Sequence, residues 1–132
     1  MSDPAGQVYV LDASALIAYL NGERGSERVE PHLQGALLSA VNLSEVIVRV
    51  AELGHPAQDV PEDVAALQVE IVPFSPKHAL LAAELRPATR PLGLSLGDRA
   101  CLALGLERGA TVLTTDRVWN ELTSPHRIEV LR

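Results

Sequence analysis

Five short runs rich in β-branched and apolar residues, "QVYVLD", "ALLSAV", "VEIVPF", "ATVLTT" and "RIEVL", are separated by stretches of helical character. Strands that alternate with helices join in parallel and bury both faces of their sheet under the intervening helices. The expected fold class is therefore α/β, a three-layer α/β/α sandwich around a parallel sheet of about five strands. No internal repeat, low-complexity tract or interdomain linker interrupts the pattern, so residues 1–132 read as one domain with one continuous core.

The helical stretches carry start and stop signals. "ASALIAYLNG" closes at Asn21-Gly22. "NLSEVIVRVAELG" sets Leu43, Val46, Ile47, Val50 and Leu53 on one face before Gly54 and Pro56 stop it. The charged "ERGSERVEPHLQG" reads as a short exposed helix and loop, and a further helix covers about residues 61–67. Ser75-Pro76 opens the helix "SPKHALLAAELR", and "PATRPLG", with its two prolines, reads as an irregular loop. "LSLGDRACLALG" is a helix made for the core, and "RVWNEL" is a short one after the fourth strand.

Composition narrows the function classes. A net charge of −6 argues against a broad basic surface for nucleic acid, while local contact with phosphate stays open. Ten of the eleven basic residues are arginine, which suits bidentate phosphate contact and is also the bias of GC-rich genomes. With four aromatic residues, stacking on rings is a poor way for this chain to hold bases. The single cysteine, Cys101, excludes an internal disulfide and a multi-cysteine zinc cluster, and reads as a small core residue. No apolar run reaches the roughly 18 residues of a membrane span. The start "MSDPAGQ" has neither the basic nor the apolar region of a signal peptide, so a soluble cytoplasmic chain is expected.

The core helix "LSLGDRACLALG" carries one acid, Asp98, in its first turn. Three more acids stand in equivalent places: Asp12 ends the first strand, Glu45 follows the second, and Asp116 follows the fourth. In a doubly wound sheet these positions share the carboxyl edge, where such folds bind ligands. Each has a plain alternative as a helix cap. Asn42-x-x-Glu45 and Ser95-x-x-Asp98 resemble capping boxes, and Asp12 and Asp116 could cap the first helix and the "RVWNEL" turn. Four carboxylates on one edge repel one another, however, unless they share a cation. All-oxygen donors without histidine or cysteine suit Mg²⁺ or Mn²⁺ rather than zinc. His32, His55, His78 and His126 show no ligand spacing and read as surface or capping residues. Ser14, Thr114 and Thr115 bring hydroxyls to the same edge, either as supports for the ligands or simply satisfying backbone groups.

In order and spacing, "VLDASALIA", "NLSEV", "LSLGDRACLALG" and "LTTDRVW" resemble the motifs of PIN-domain nucleases, and most of all the VapC-type toxins of bacterial toxin–antitoxin pairs. The resemblance spans nearly the whole chain and carries the family's acids onto Asp12, Glu45, Asp98 and Asp116, with a hydroxyl at Thr114 or Thr115. It implies a helix-flanked parallel sheet, cleavage of RNA with Mg²⁺ or Mn²⁺, a homodimer, and a small antitoxin as partner. Chemistry and resemblance agree on hydrolysis by water, giving 5′-phosphate and 3′-hydroxyl ends. Arg99 and Arg117, each next to an acid, are the candidates for phosphate contact. Two alternatives stand beside this reading. A non-catalytic module could keep the fold, and an aspartyl-phosphate domain also has an acid after its first strand, although it needs a lysine near the phosphoryl group and the one lysine here is Lys77.

Overall fold

The computed structural model describes residues 7–123 and 125–132, so most of "MSDPAGQ" lies outside the described residues. Within them, β1 (Tyr9–Leu11), β2 (Leu37–Ser39), β3 (Glu70–Val72), β4 (Thr111–Thr114) and β5 (Ile128–Val130) form one parallel sheet in the order β3-β2-β1-β4-β5. The expected class and strand number hold. Successive strand residues point to opposite faces. Leu11, Leu38 and Leu113 enter one core, while Val10, Leu37 and Val112 enter the other. The central strands are buried on both sides, which is why they read as apolar runs without alternation.

On the first face lie α1 (Ala13–Leu20), α2 (Ser26–Val29), α3 (Ala40–Glu52) and α4 (Val60–Ala66); their buried residues include Leu16, Val29, Val46 and Val64. On the other face α7 (Leu96–Arg108) lies between the sheet and α5 (Pro76–Glu84), with seven of its thirteen residues buried. A helix covered on both sides has little polar face to show, so its periodicity is weak. Among the described residues no helix is long and apolar enough to cross a membrane.

Several expectations are corrected. "PATRPLG" is not irregular: α6 (Arg86–Thr89) and a 3₁₀ turn at Arg90–Leu92 each carry proline in the first turn, where the missing N–H would have no helical partner anyway. α3 starts at Ala40, because Ser39 Oγ accepts the Val41 N–H at 3.2 Å and ends β2 two residues early. Of its expected apolar face, Leu43, Val46, Ile47 and Val50 reach the core, whereas Leu53 is the exposed C-cap. The charged stretch after α1 is more than an exposed helix and loop, since Val29 and Leu33 are buried and His32 packs against Tyr9 with tilted rings whose centroids are 4.3 Å apart.

Gln68 follows α4 with φ +63°, a left-handed backbone that a Cβ disfavours by about 1–2 kcal/mol. Its carbonyl accepts the Gly35 N–H at 2.8 Å, which ties the turn to the start of β2. Gln68→Gly relieves the strain and returns part of it through greater freedom in the unfolded chain. The expected net gain is about 0.5–1 kcal/mol, a rise of a few degrees in Tm. Thermal melts followed by circular dichroism check it, and Gln68→Ala, which keeps the Cβ, should show no such gain.

Candidate active site

The strand order reverses between β1 and β4, which opens a crevice at their carboxyl ends. Asp12 closes β1 and caps α1 on one side of that crevice, and Asp116 follows β4 on the other. Asp12 Oδ1 accepts the Ala15 N–H at 2.8 Å, and Oδ2 accepts the Thr114 hydroxyl at 2.5 Å. Ser14 Oγ stands 2.7 and 2.9 Å from the two oxygens and itself accepts the Thr115 N–H at 3.0 Å. Asp12 is only 4% exposed. Burial outweighs the donors and, helped by the charge of Asp98, raises its carboxyl from 3.8 to about 6.

Asp98 occupies the third position of α7. The Ser95 N–H donates to its Oδ2 at 2.8 Å and Ser95 Oγ accepts its N–H at 3.2 Å, so the capping box is real. The cap does not isolate Asp98 from the other acids, because the same carboxylate acts electrostatically on Asp12. Asp116 likewise caps the 3₁₀ turn Arg117–Glu121, with Oδ1 accepting the Val118 N–H at 3.1 Å. Its own N–H donates to Thr114 Oγ1 at 3.0 Å. Thr114 thus bridges two acids, donating to one and accepting from the backbone of the other. Of the two candidate threonines, Thr114 has the hydroxyl that reaches an acid, while Thr115 contributes its N–H.

Glu45 departs from its expected setting. Because Ser39 caps α3, Asn42 lies inside the first turn and is no cap, and Asn42-x-x-Glu45 is an i,i+3 pair on the helix. The Asn42 amide donates to Glu45 Oε1 and to the Gly97 carbonyl, both at 2.9 Å. The Glu45 carboxyl rests directly on Gly97, where a Cβ would overlap it. Cys101 lies beneath, its thiol toward the Leu11 carbonyl at 3.7 Å. Burial and then the charges of Asp12, Asp98 and Glu45 push that thiol well up, as expected where three acids gather around the first turns of α7.

Among the described residues no three of the Asp, Glu, His and Cys side chains stand at the spacing of a formed ligand cluster. The donor set nevertheless fits a hard divalent cation, being oxygen throughout. Burial and a neighbouring acid hold back ionisation of Asp12, and a cation would reverse both effects.

Arg99 is a correction. Its Nη1 donates to the Ala82 carbonyl of α5 at 3.0 Å and its Nε is buried without a partner among the described residues, so packing turns it away from phosphate. Arg117 is exposed beside Asp116, with Nε donating to the Arg132 carbonyl at 3.3 Å. Lys77 pairs with Glu107 at 3.8 Å on the second half of α7, which leaves an aspartyl-phosphate site without its lysine. His78 is buried, serves the capping box of α5 and reaches Glu107 at 2.5 Å.

An α/β domain with four acids along the carboxyl edge of a β3-β2-β1-β4-β5 sheet defines the class. The sequence matches the PIN domain over residues 9–124, and the chain belongs to that family. No curated protein matches it. Among solved structures it is similar to VapBC2 from Rickettsia felis, bound to a promoter DNA fragment, at 17% identity and TM-score 0.71, covering 96% of this chain and 100% of the other. A toxin–antitoxin complex from Klebsiella pneumoniae matches at 20% identity and TM-score 0.71, over 91% and 99% of the two chains. VapBC-5 from Mycobacterium tuberculosis matches at 24% identity and TM-score 0.59, over 98% and 99%. At these identities the likeness is one of fold.

The raised carboxyl gives a prediction for the metal-free protein. A folded midpoint of about 6 against 3.8 means that the stability Asp12 contributes is present below pH 4 and is lost as pH rises through 6. The loss is on the order of 3 kcal/mol. In EDTA, Asp12→Asn should therefore gain on the parent by about that amount between pH 4 and pH 7. Saturating Mg²⁺ should stabilise the parent and leave the variant unmoved. Urea unfolding across this range checks both, and a gap that does not change with pH would refute the role given to burial.

Proposed function

We propose that the chain is a cytoplasmic Mg²⁺- or Mn²⁺-dependent endoribonuclease, the toxin of a toxin–antitoxin pair, working as a homodimer. The observation that carries this reading is Asp12, a carboxyl buried at the end of the central strand, held by three donors and facing the charge of Asp98. Membership of the PIN domain family supports nuclease chemistry, and the toxin–antitoxin complexes of the same fold support a small antitoxin as the partner.

Asp12, Asp98 and Asp116 would hold the ion, with Glu45 alongside for a second ion or for the attacking water. Bound there, a divalent ion supplies Lewis acidity toward a phosphate oxygen and acidifies water. The chain's own contribution is preorganisation. Thr114 and Ser14 fix the Asp12 carboxylate in one orientation, so its charge is presented without rearrangement. Ser95 and Val118 do the same for Asp98 and Asp116 through backbone N–H groups. Arg117 is the arginine placed to meet the RNA backbone. Water attacks phosphorus in line and gives up a proton to solvent, the bond to O3′ breaks, and its electron pair leaves on O3′, which takes up a proton from solvent.

Cleavage should therefore require a divalent ion, stop in EDTA, and leave 5′-phosphate and 3′-hydroxyl ends. Mapping the ends of a cleaved RNA pool checks this. Cyclic 2′,3′-phosphates would overturn the water mechanism, and intact RNA in Mg²⁺ would leave a non-catalytic module.

The homodimer has its own rationale. An acidic subunit must gather phosphate-binding charge, and pairing two copies lines one groove with arginines from both. Light scattering at micromolar concentration should give twice the 14.1 kDa subunit mass. A mass that stays monomeric would remove this part of the reading.

A further inference from the structure

We infer that Asn42 is a positioning residue of the active site, a clamp that sets the Glu45 carboxylate against the first turn of α7. The inference deepens the metal-nuclease reading and rests on it. Asn42 is 1% exposed and stands on α3, with both its polar partners within reach. One amide hydrogen goes to the Gly97 carbonyl of α7 and the other to Glu45 Oε1. The orientation of the amide is settled by Gly97, because only the NH₂ end can meet a carbonyl. Oδ1 is then left buried without a partner among the described residues.

A buried acceptor with no donor is unfavourable, and an apolar side chain of similar size would avoid it. Core packing therefore does not account for an asparagine here. Holding Glu45 does. A glutamate has three rotatable side-chain bonds, and Glu45 is half-buried, so its carboxyl needs a partner to hold one orientation. Asn42 binds one oxygen from below, and the backbone of Gly97, free of any Cβ, lets the carboxyl lie flat against α7 one residue from Asp98. Among the described residues nothing donates to the second oxygen, Oε2, so that oxygen is the one left for a cation or a water. Outer partners of this kind, when removed, typically weaken metal binding by 10- to 100-fold.

The test uses the full-length chain and Mn²⁺ as the probe. Four proteins are compared: the parent, Asn42→Ala, Glu45→Gln, and the double variant. Mn²⁺ affinity is read by electron paramagnetic resonance, well below each variant's Tm. The Glu45 carboxyl ¹³C resonance is read in EDTA. Asn42→Ala should shift that resonance while leaving those of Asp12 and Asp116 in place, and should weaken Mn²⁺ binding roughly 10- to 100-fold. In the Glu45→Gln background the same change should alter Mn²⁺ affinity less than about two-fold, because a residue that acts through Glu45 has nothing left to position. Asn42→Ala that lowers Tm yet binds Mn²⁺ as the parent does would make the residue merely structural and overturn the proposal, as would losses that add in the double variant. If Asn42→Ala does not fold, Asn42→Leu, which keeps the volume and cannot donate a hydrogen bond, takes its place with the same expectations. A parent that binds no Mn²⁺ overturns the metal reading and this role with it. The ¹³C shift then reports separately on whether the clamp exists.

Discussion

A carboxylate buried at the carboxyl end of the central strand is the constraint around which this edge of the molecule is arranged. Asp12 must stand there because β1 ends there, between β2 and β4. Left without donors, a buried acid would be neutral or would unfold its surroundings. The chain answers with a hydroxyl from β4, a hydroxyl from α1 and the Ala15 N–H in the first turn of α1. These donors come from two elements, so satisfying one side chain fixes how α1 and β4 sit relative to β1. The remaining imbalance is an acid still reluctant to ionise beside a second acid, a repulsion that a positive charge placed there would relieve.

The other acids show how one side chain can serve fold and site together. Asp98 and Asp116 each give an oxygen to a helix or turn N-terminus, and that bond orients the whole carboxylate. A cap that also belongs to a site is held more rigidly than a ligand on a free side chain, because the helix start depends on it. For this reason local structure alone could not separate the two roles.

Much of this was legible in the sequence. Five apolar runs between helical stretches specified the parallel sheet, and the acids following strand ends marked its acidic carboxyl edge. What escaped depended on contacts between distant segments. Asn42 looked like a cap because Asn-x-x-Glu is a capping spacing, and only the Ser39 hydroxyl, three residues earlier, shows that the helix had already begun. Arg99 looked like a phosphate ligand from its place beside Asp98, but adjacent helix residues point about 100° apart and α5 claims this one. "PATRPLG" looked irregular because proline breaks helices more often than it starts them, and here each proline falls in a first turn.

Gly105, about two turns along α7 from Asp98, has a mechanical consequence. A Cβ at this position would come within 2.8 Å of Val112 Cγ2, so the helix backbone rests on the Val112 side chain of β4 with no side chain of its own between them. A helix is stiff along its length, and α7 carries Asp98 near one end and this seat toward the other. Raising the seat by one methyl group would tip the helix like a beam on a shim and tilt the far end that bears the acid. The alignment of the carboxylates is therefore set partly at a distance from them, by an atom the chain leaves out.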